Sequence, residues 1–300
     1  MASIKDLKKR IQSTKNTQQT TKAMKMVSAA YLRRAQDAIN NQKPYAKRLG
    51  AMLQTFATMD GVVIDSPLVR VEGSEPIHGA NKLLLVLVTS DRGLCGGFNA
   101  NVMKATQRWI RDHKREYDSI DIAFVGKKGY EFFRNRRLAN GPYYQELGGK
   151  VNFAKARKLS EALIEEYTSG RYSEVKFVFN EFKNALTQTP VVEAFLPLTP
   201  PARGSVHSSQ DAHGMVIVRP SASEVLKELL SKHFPMQAFR ILLESQAGEH
   251  GARMSAMENA TKNAGEMIGR LTLDYNKQRQ AGITKELLEI ISGSESQKAG

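Results

Sequence analysis

Both ends of the chain carry apolar and small residues at heptad spacing, and the middle does not. From Tyr31 the steps alternate between four and three: Tyr31, Ala35, Ala38, Gln42, Tyr45, Leu49, Met52, Phe56, Met59. This is a helical seam with one polar insert. A second seam runs Val225, Leu229, Met236, Phe239, Leu243 and resumes at Met257, Ala260, Ala264, Met267, Leu271. Between them Leu83-Leu84-Leu85-Val86-Leu87-Val88 reads as a buried strand. The pattern predicts two terminal helices bracketing an α/β domain. One helix enters the domain and the other leaves it, so the pair is antiparallel. A helix of about 60 residues is about 90 Å long. A compact domain of about 140 residues has a radius of gyration near 14 Å. The pair is therefore expected to project as a shaft from a foot.

Composition narrows the partners. Net charge is +14 over 300 residues, and it is uneven. The first helix carries Lys5, Lys8, Lys9, Arg10, Lys15, Lys22, Lys25, Arg33, Arg34, Lys43, Lys47 and Arg48 against Asp6, Asp37 and Asp60. Such a helix suits an acidic partner, either nucleic acid or an acidic protein surface. No apolar run approaches the ~18 residues that span a bilayer. The start, Met-Ala-Ser-Ile-Lys-Asp-Leu, has neither a signal core nor transit-peptide character. The single Cys95 excludes an internal disulfide framework and fits a reducing compartment. The expectation is a cytosolic chain, or one held at a membrane by another protein.

The expected division is a first shaft helix over 1–60, an α/β foot over 61–221, a second shaft helix over 222–292 and a disordered tail over 293–300. Pro44 and Pro235 each remove a helical hydrogen bond, predicting a kink at the first and a kink or late start at the second. Within the foot, strands are predicted at 83–90, 120–125, 175–179 and 191–198. Helices are predicted at about 100–115, 129–137 and 153–167. Strand–helix alternation argues for a mainly parallel sheet with helices on its faces. Residues 199–221 read as an exposed loop.

Catalytic chemistry is poorly represented. The turn Ser90-Asp91-Arg92-Gly93-Leu94-Cys95-Gly96-Gly97-Phe98-Asn99 sits where open α/β sheets bind ligands. Neither phosphate-loop nor dinucleotide glycine spacing is present there, and Gly126-Lys127-Lys128-Gly129 lacks the rest of a phosphate loop. Cys95 has no His or acid at a suggestive local spacing. His207, Asp211 and His213 lack metal-site spacing and read as a solvated loop. On residues alone this is a binding or mechanical part with no catalytic, cofactor or metal site.

Three stretches carry a family resemblance. They are Ile4-Lys5-Asp6-Leu7 through Thr21-Lys22-Ala23-Met24-Lys25-Met26-Val27; the turn Ser90 to Asn99; and Ala252-Arg253-Met254-Ser255-Ala256-Met257 through Tyr275-Asn276-Lys277-Gln278-Arg279-Gln280-Ala281 to Ile283-Thr284-Lys285-Glu286-Leu287. In this order they closely resemble the gamma subunit of the F-type ATP synthase. The resemblance implies a rotor whose antiparallel coiled coil sits within three alpha and three beta subunits. Its Rossmann-like α/β foot would rest on the c-ring beside the epsilon subunit. ATP, ADP and magnesium would belong to the alpha and beta subunits. Lys22, Met24 and Lys25 are implied to lie near an acidic lever loop of a beta subunit, with Arg33 and Arg34 continuing that basic band. Cys95 and its turn are implied to face the same region. Arg279, Gln280 and Thr284 are implied to meet a beta-subunit catch loop. The implied location is the cytoplasmic face of a bacterial inner membrane, touched only through the complex. The alternative is a basic coiled-coil arm that docks nucleic acid on an α/β domain. A nucleotide-dependent oxidoreductase ranks third and fails on its glycine motif.

Overall fold

The computed structural model describes residues 3–58, 66–70, 81–145, 151–199 and 221–298. Met59, His207, Asp211 and His213 lie outside the described residues, as does most of the loop expected at 199–221. In chain order the elements are α1 (Ile4–Thr58), β1 (Lys82–Val88), α2 (Phe98–His113), β2 (Ser119–Val125), α3 (Lys127–Arg134), α4 (Phe153–Thr168), β3 (Glu174–Phe182), β4 (Gln188–Leu196) and α5 (Ala222–Lys298). The chain divides into two compact units, Met1–Ala29 with Arg253–Gly300, and Ala30–Ala252.

The second unit holds one four-stranded sheet, ordered β2-β1-β3-β4. β1 pairs in parallel with β2 and β3, and β4 returns antiparallel along β3. β1 is therefore central, and its six residues Leu83 to Val88 are all buried. A strand covered on both faces needs a continuous apolar run rather than alternation. Leu83, Leu85 and Leu87 face Val102 and Met103 of α2, Phe124 and Phe133. Leu84, Val86 and Val88 face Leu159 and Leu163 of α4, Leu49, Leu53 and Phe56 of α1, and Leu226, Leu230, Phe234 and Ile241 of α5. Each fully buried Leu contributes about 1.5–3 kcal/mol of transfer free energy.

The helical seams are real, but their phase differs from the sequence reading. Tyr31, Tyr45 and Met52 are about half exposed, at 47%, 47% and 50%. The buried or half-buried row on α1 is Leu32, Ala35, Ile39, Gln42, Ala46, Leu49, Leu53 and Phe56. Ala35, Gln42, Leu49 and Phe56 belong to both readings. The alternate position falls four residues after each shared one, not three, and apolar side chains at both offsets hid the choice. On α5, Met267 is likewise exposed and Ile268 takes its place. Between Leu226 and Gly251 the helix is buried on several sides, because it lies in the core of the second unit and not along a single partner helix.

α5 passes through Pro235 in helical conformation from Ala222, so the expected late start does not occur. It also continues to Lys298, past the Ser292 limit expected from composition. The polar tail contains no proline after Pro235, and nothing in its backbone forbids helix. α1 runs through Pro44 as one helix.

Candidate partner-contact surface

In the first unit the ends of α1 and α5 run antiparallel. A methyl built on Gly282 would meet Ile4 at 3.8 Å, and one built on Gly265 would meet Gln18 Nε2 at 3.0 Å. Thr261 Oγ1 donates to Thr21 Oγ1 at 2.8 Å, and Lys25 Nζ lies 2.6 Å from Glu258 Oε1. As the α1 residue number rises from 4 to 25, its α5 partner falls from 282 to 258. The facing residues are small or polar, which brings the helices close but leaves little apolar area to bury. Gln18 Nε2 and the Thr261 carbonyl complete a polar ladder at 3.5 Å.

The sequence-predicted contact residues of this unit divide by position. Lys22 is exposed, and Met24 is half-buried beside the seam. Lys25 belongs to the seam itself and is engaged by Glu258. Arg279, Gln280 and Thr284 are exposed, and the Thr284 hydroxyl donates to the Gln280 carbonyl at 3.0 Å. That back-bond occupies the hydroxyl, leaving Arg279 and the Gln280 amide as the outward donors. Among the described residues, no carboxylate lies within ion-pair distance of Lys22 or Arg279.

In the second unit Arg33 and Arg34 are exposed, and the Arg34 guanidinium lies 5.8 Å from the Tyr31 ring. Tyr31 stacks on His250 with centroids 5.1 Å apart. Farther along, Gln42 Nε2 donates to the Met236 carbonyl at 2.9 Å, so the predicted polar insert is buried and bonded. Antiparallel order holds here too.

Cys95 sits inside the turn that the resemblance turns toward a partner. Its side chain is buried, at 2% exposure, and the thiol accepts from Asn99 Nδ2 at 3.3 Å. Asn99 also donates to Ser90 Oγ at 2.7 Å and accepts from the Ser90 amide at 3.0 Å. One amide at the start of α2 thus closes the loop, with the thiol packed inside. The residue turned outward is Leu94, 63% exposed and held at φ 63°. A branched side chain in the left-handed region is strained. The sequence reading missed both Asn99 as organiser and Leu94 as the exposed apolar tip. The signal was an Asn at the second position of the helix, two residues after a glycine pair.

The turn Gly126-Lys127-Lys128-Gly129 offers an anion none of its first helical amides. The first amides of α3 are already used: Lys127 donates to Asp91 Oδ1 at 2.9 Å, Lys128 to the Ser90 carbonyl at 3.1 Å and Gly129 to Thr89 Oγ1 at 2.9 Å. A helix N-terminus attracts anions only through amides that remain unpaired. Among the described residues, no cluster of His, Cys, Asp or Glu could hold a metal, and no helix is long and apolar enough to cross a membrane.

Comparison with known proteins gives the geometry its context. A family model described as ATP synthase matches residues 3–296. The ATP synthase gamma chain of Geobacter metallireducens is 48% identical over 299 residues, covering 99% of this chain and 100% of the relative. That of Bdellovibrio bacteriovorus is 45% identical over 302 residues, covering 99% and 100%. Among solved structures, a chain of the Euglena gracilis mitochondrial ATP synthase superposes with a TM-score of 0.65 at 19% identity, covering 99% of this chain and 95% of that one. A chain of the Tetrahymena thermophila mitochondrial central stalk and c-ring gives 0.55 at 23% identity, covering 80% and 99%. These structures share the fold. The nucleic-acid arm finds no support, since the similarity to gamma chains runs the length of both chains. Two long helices bracketing a mixed sheet, in a chain matched end to end by gamma chains, place it: it belongs to the gamma-chain family of the F-type ATP synthases.

Proposed function

We propose that the chain is the central stalk of an F-type ATP synthase, a mechanical subunit that couples ion flow through a c-ring to ATP synthesis or hydrolysis elsewhere. The observation that carries this reading is the antiparallel pair α1–α5 in the first unit. Its seam is small and polar, and its cations at Lys22 and Arg279 face outward. A helix pair that must turn within a sleeve needs contacts that form and break. Exposed ion pairs worth about 0–1 kcal/mol each meet that need, where buried locks would not.

In this reading three alpha and three beta subunits surround the shaft and hold the adenine nucleotides and magnesium. Lys22, Met24 and Lys25 lie near an acidic loop of a beta subunit, with Arg33 and Arg34 continuing the basic band, and Arg279, Gln280 and Thr284 meet a second beta-subunit loop. The Gly-rich turn contributes through Leu94, with Cys95 as its internal support. The foot, over residues 61–221, rests on the c-ring beside an epsilon subunit. The complex lies at the cytoplasmic face of a bacterial inner membrane.

Co-purification tests the reading. An affinity-tagged chain expressed in its own cell is expected to bring down alpha and beta subunits in stoichiometric amounts with magnesium-dependent ATPase activity, whereas the chain alone has none. Recovery without those subunits, or ATP turnover of order 1 per second by the purified chain, would contradict it.

A further inference from the structure

Where α5 passes the β3–β4 hairpin, two of its residues have no side chain between the helix and its neighbours. A methyl at Gly248 would stand 3.1 Å from Phe98 Cε2 and 3.2 Å from Gln188 Cγ. One at Gly251 would meet the Ala185 carbonyl oxygen at 2.9 Å and its Cα at 3.2 Å. Phe98 is fixed in turn, since Asn180 Nδ2 of β3 donates to its carbonyl at 3.1 Å. About two turns earlier on α5, the Arg240 guanidinium forks. One nitrogen reaches Glu244 Oε1 on the same helix at 3.1 Å, and the other bonds Glu193 on β4. Both Arg240 and Glu193 side chains are about two-thirds covered.

Leu226, Leu230, Phe234, Ile241 and Leu242 of α5 pack in the apolar core against the sheet. Apolar burial holds a helix down but has no preferred direction, so it resists turning or sliding weakly. A planar guanidinium bonded to a carboxylate is directional. So is the close seat of Gly248 and Gly251 against the hairpin, which has no room for a side chain to be turned into it. We infer that Arg240 with Glu193, and Gly248 with Gly251, are positioning residues that key α5 to the sheet and transmit load between foot and shaft helix. The inference rests on the central-stalk reading.

The matched variants Glu193→Ala and Glu244→Ala separate the two arms of Arg240. The first cuts the bond to the sheet; the second cuts only a bond within the helix. In the assembled, membrane-bound complex, proton-driven ATP synthesis works against load, while ATP hydrolysis by the detached head does not. Glu193→Ala is expected to lower synthesis about tenfold, the scale of one charge-assisted bond, and to leave unloaded hydrolysis within about twofold. Glu244→Ala is expected to stay within about twofold in both assays. Gly251→Ala, which pushes the hairpin off the helix, is expected to follow Glu193→Ala. Arg240→Lys, which keeps the charge and loses the fork, is expected to fall between parent and Glu193→Ala, and it serves as the test if Glu193→Ala does not fold.

Parental synthesis in both Glu193→Ala and Gly251→Ala would overturn the inference. Equal losses in Glu193→Ala and Glu244→Ala would also overturn it, because general destabilisation would then be the cause. A parent chain that forms no ATP-hydrolysing complex would instead overturn the central-stalk reading.

Discussion

Lys25 on α1 and Glu258 on α5 form an ion pair of 2.6 Å across the antiparallel helices, with side chains 37% and 59% exposed. The pair is solvated and tied to the Thr21–Thr261 hydrogen bond one turn away. A lysine that the resemblance assigns to a partner is therefore already answered within its own chain.

That answer changes which substitution is informative. A double-mutant cycle with Lys25→Gln and Glu258→Gln is expected to give a coupling of about 0–1 kcal/mol, falling with added salt. Lys25→Glu would repel Glu258 as well as any partner carboxylate. Lys22→Glu, on the exposed face, tests the partner alone. It is expected to assemble and to lower coupled turnover at low salt, with partial recovery as screening sets in over about 8–10 Å. Parental turnover at low salt would remove Lys22 from the contact surface.

Arg279 and Gln280 are exposed on α5 with their donors outward. The double variant Arg279→Ala/Gln280→Ala is expected to leave the unfolding midpoint of the chain unchanged. Each lost charge-assisted contact in the complex should weaken coupling by about 1–3 kcal/mol. ATP synthesis by inverted membrane vesicles is the readout.

Gly126, between β2 and α3, has φ 101°, and a Cβ there would lie 2.0 Å from the Thr89 carbonyl oxygen. Gly126→Ala must break the seam between the ends of β1 and β2. A loss of at least ~1–3 kcal/mol is expected from the backbone conformation alone. Gly93→Ala, where a Cβ meets nothing within 4 Å, is the control and should lie within about 0.5 kcal/mol of the parent. Urea denaturation of the full chain measures both.

His233 gives the second unit an acid-sensitive point. Burial, reinforced by the nearby Arg240 charge, lowers its pKa to about 4. The unfolded chain, with a His pKa of about 6.5, then binds a proton more readily than the folded one. The stability that this neutral His contributes is fully present above pH ~6.5 and is lost as pH falls toward ~4, by up to about 3 kcal/mol. His233→Gln is expected to flatten that part of the stability profile. A variant whose urea midpoint falls as steeply as the parent's over this range would show that other groups set the slope.

The parts of the fold legible in the sequence share a physical reason. Leu83 to Val88 is apolar on both faces because β1 is central and covered twice. Phe153 to Thr168 is amphipathic because α4 packs one face on the sheet. The seam on α1 was found but mis-phased at Tyr31, Tyr45 and Met52, since Leu32, Ala46 and Leu53 satisfy the same period one residue later. Tertiary partners choose between such phases, and α1 meets the foot as well as α5. Cys95 was legible as a turn residue, but its direction was not. In the fold Asn99, Ser90 and Arg92 surround the thiol on the inside, and Leu94 stands outward. The continuation of α5 to Lys298 was hidden because polar composition resembles a frayed end.

The central claim is that this chain turns inside its partners. Cys95 is buried and is the only cysteine, so a cysteine introduced at the exposed Lys114 offers a selective attachment point for a bead. With the head complex fixed to a surface by its outer subunits and supplied with ATP and magnesium, the account predicts sustained rotation of the bead in one direction, stopping when ATP is withdrawn. A bead that stays still, or only fluctuates about one angle, while the same complexes hydrolyse ATP at the parental rate would contradict it.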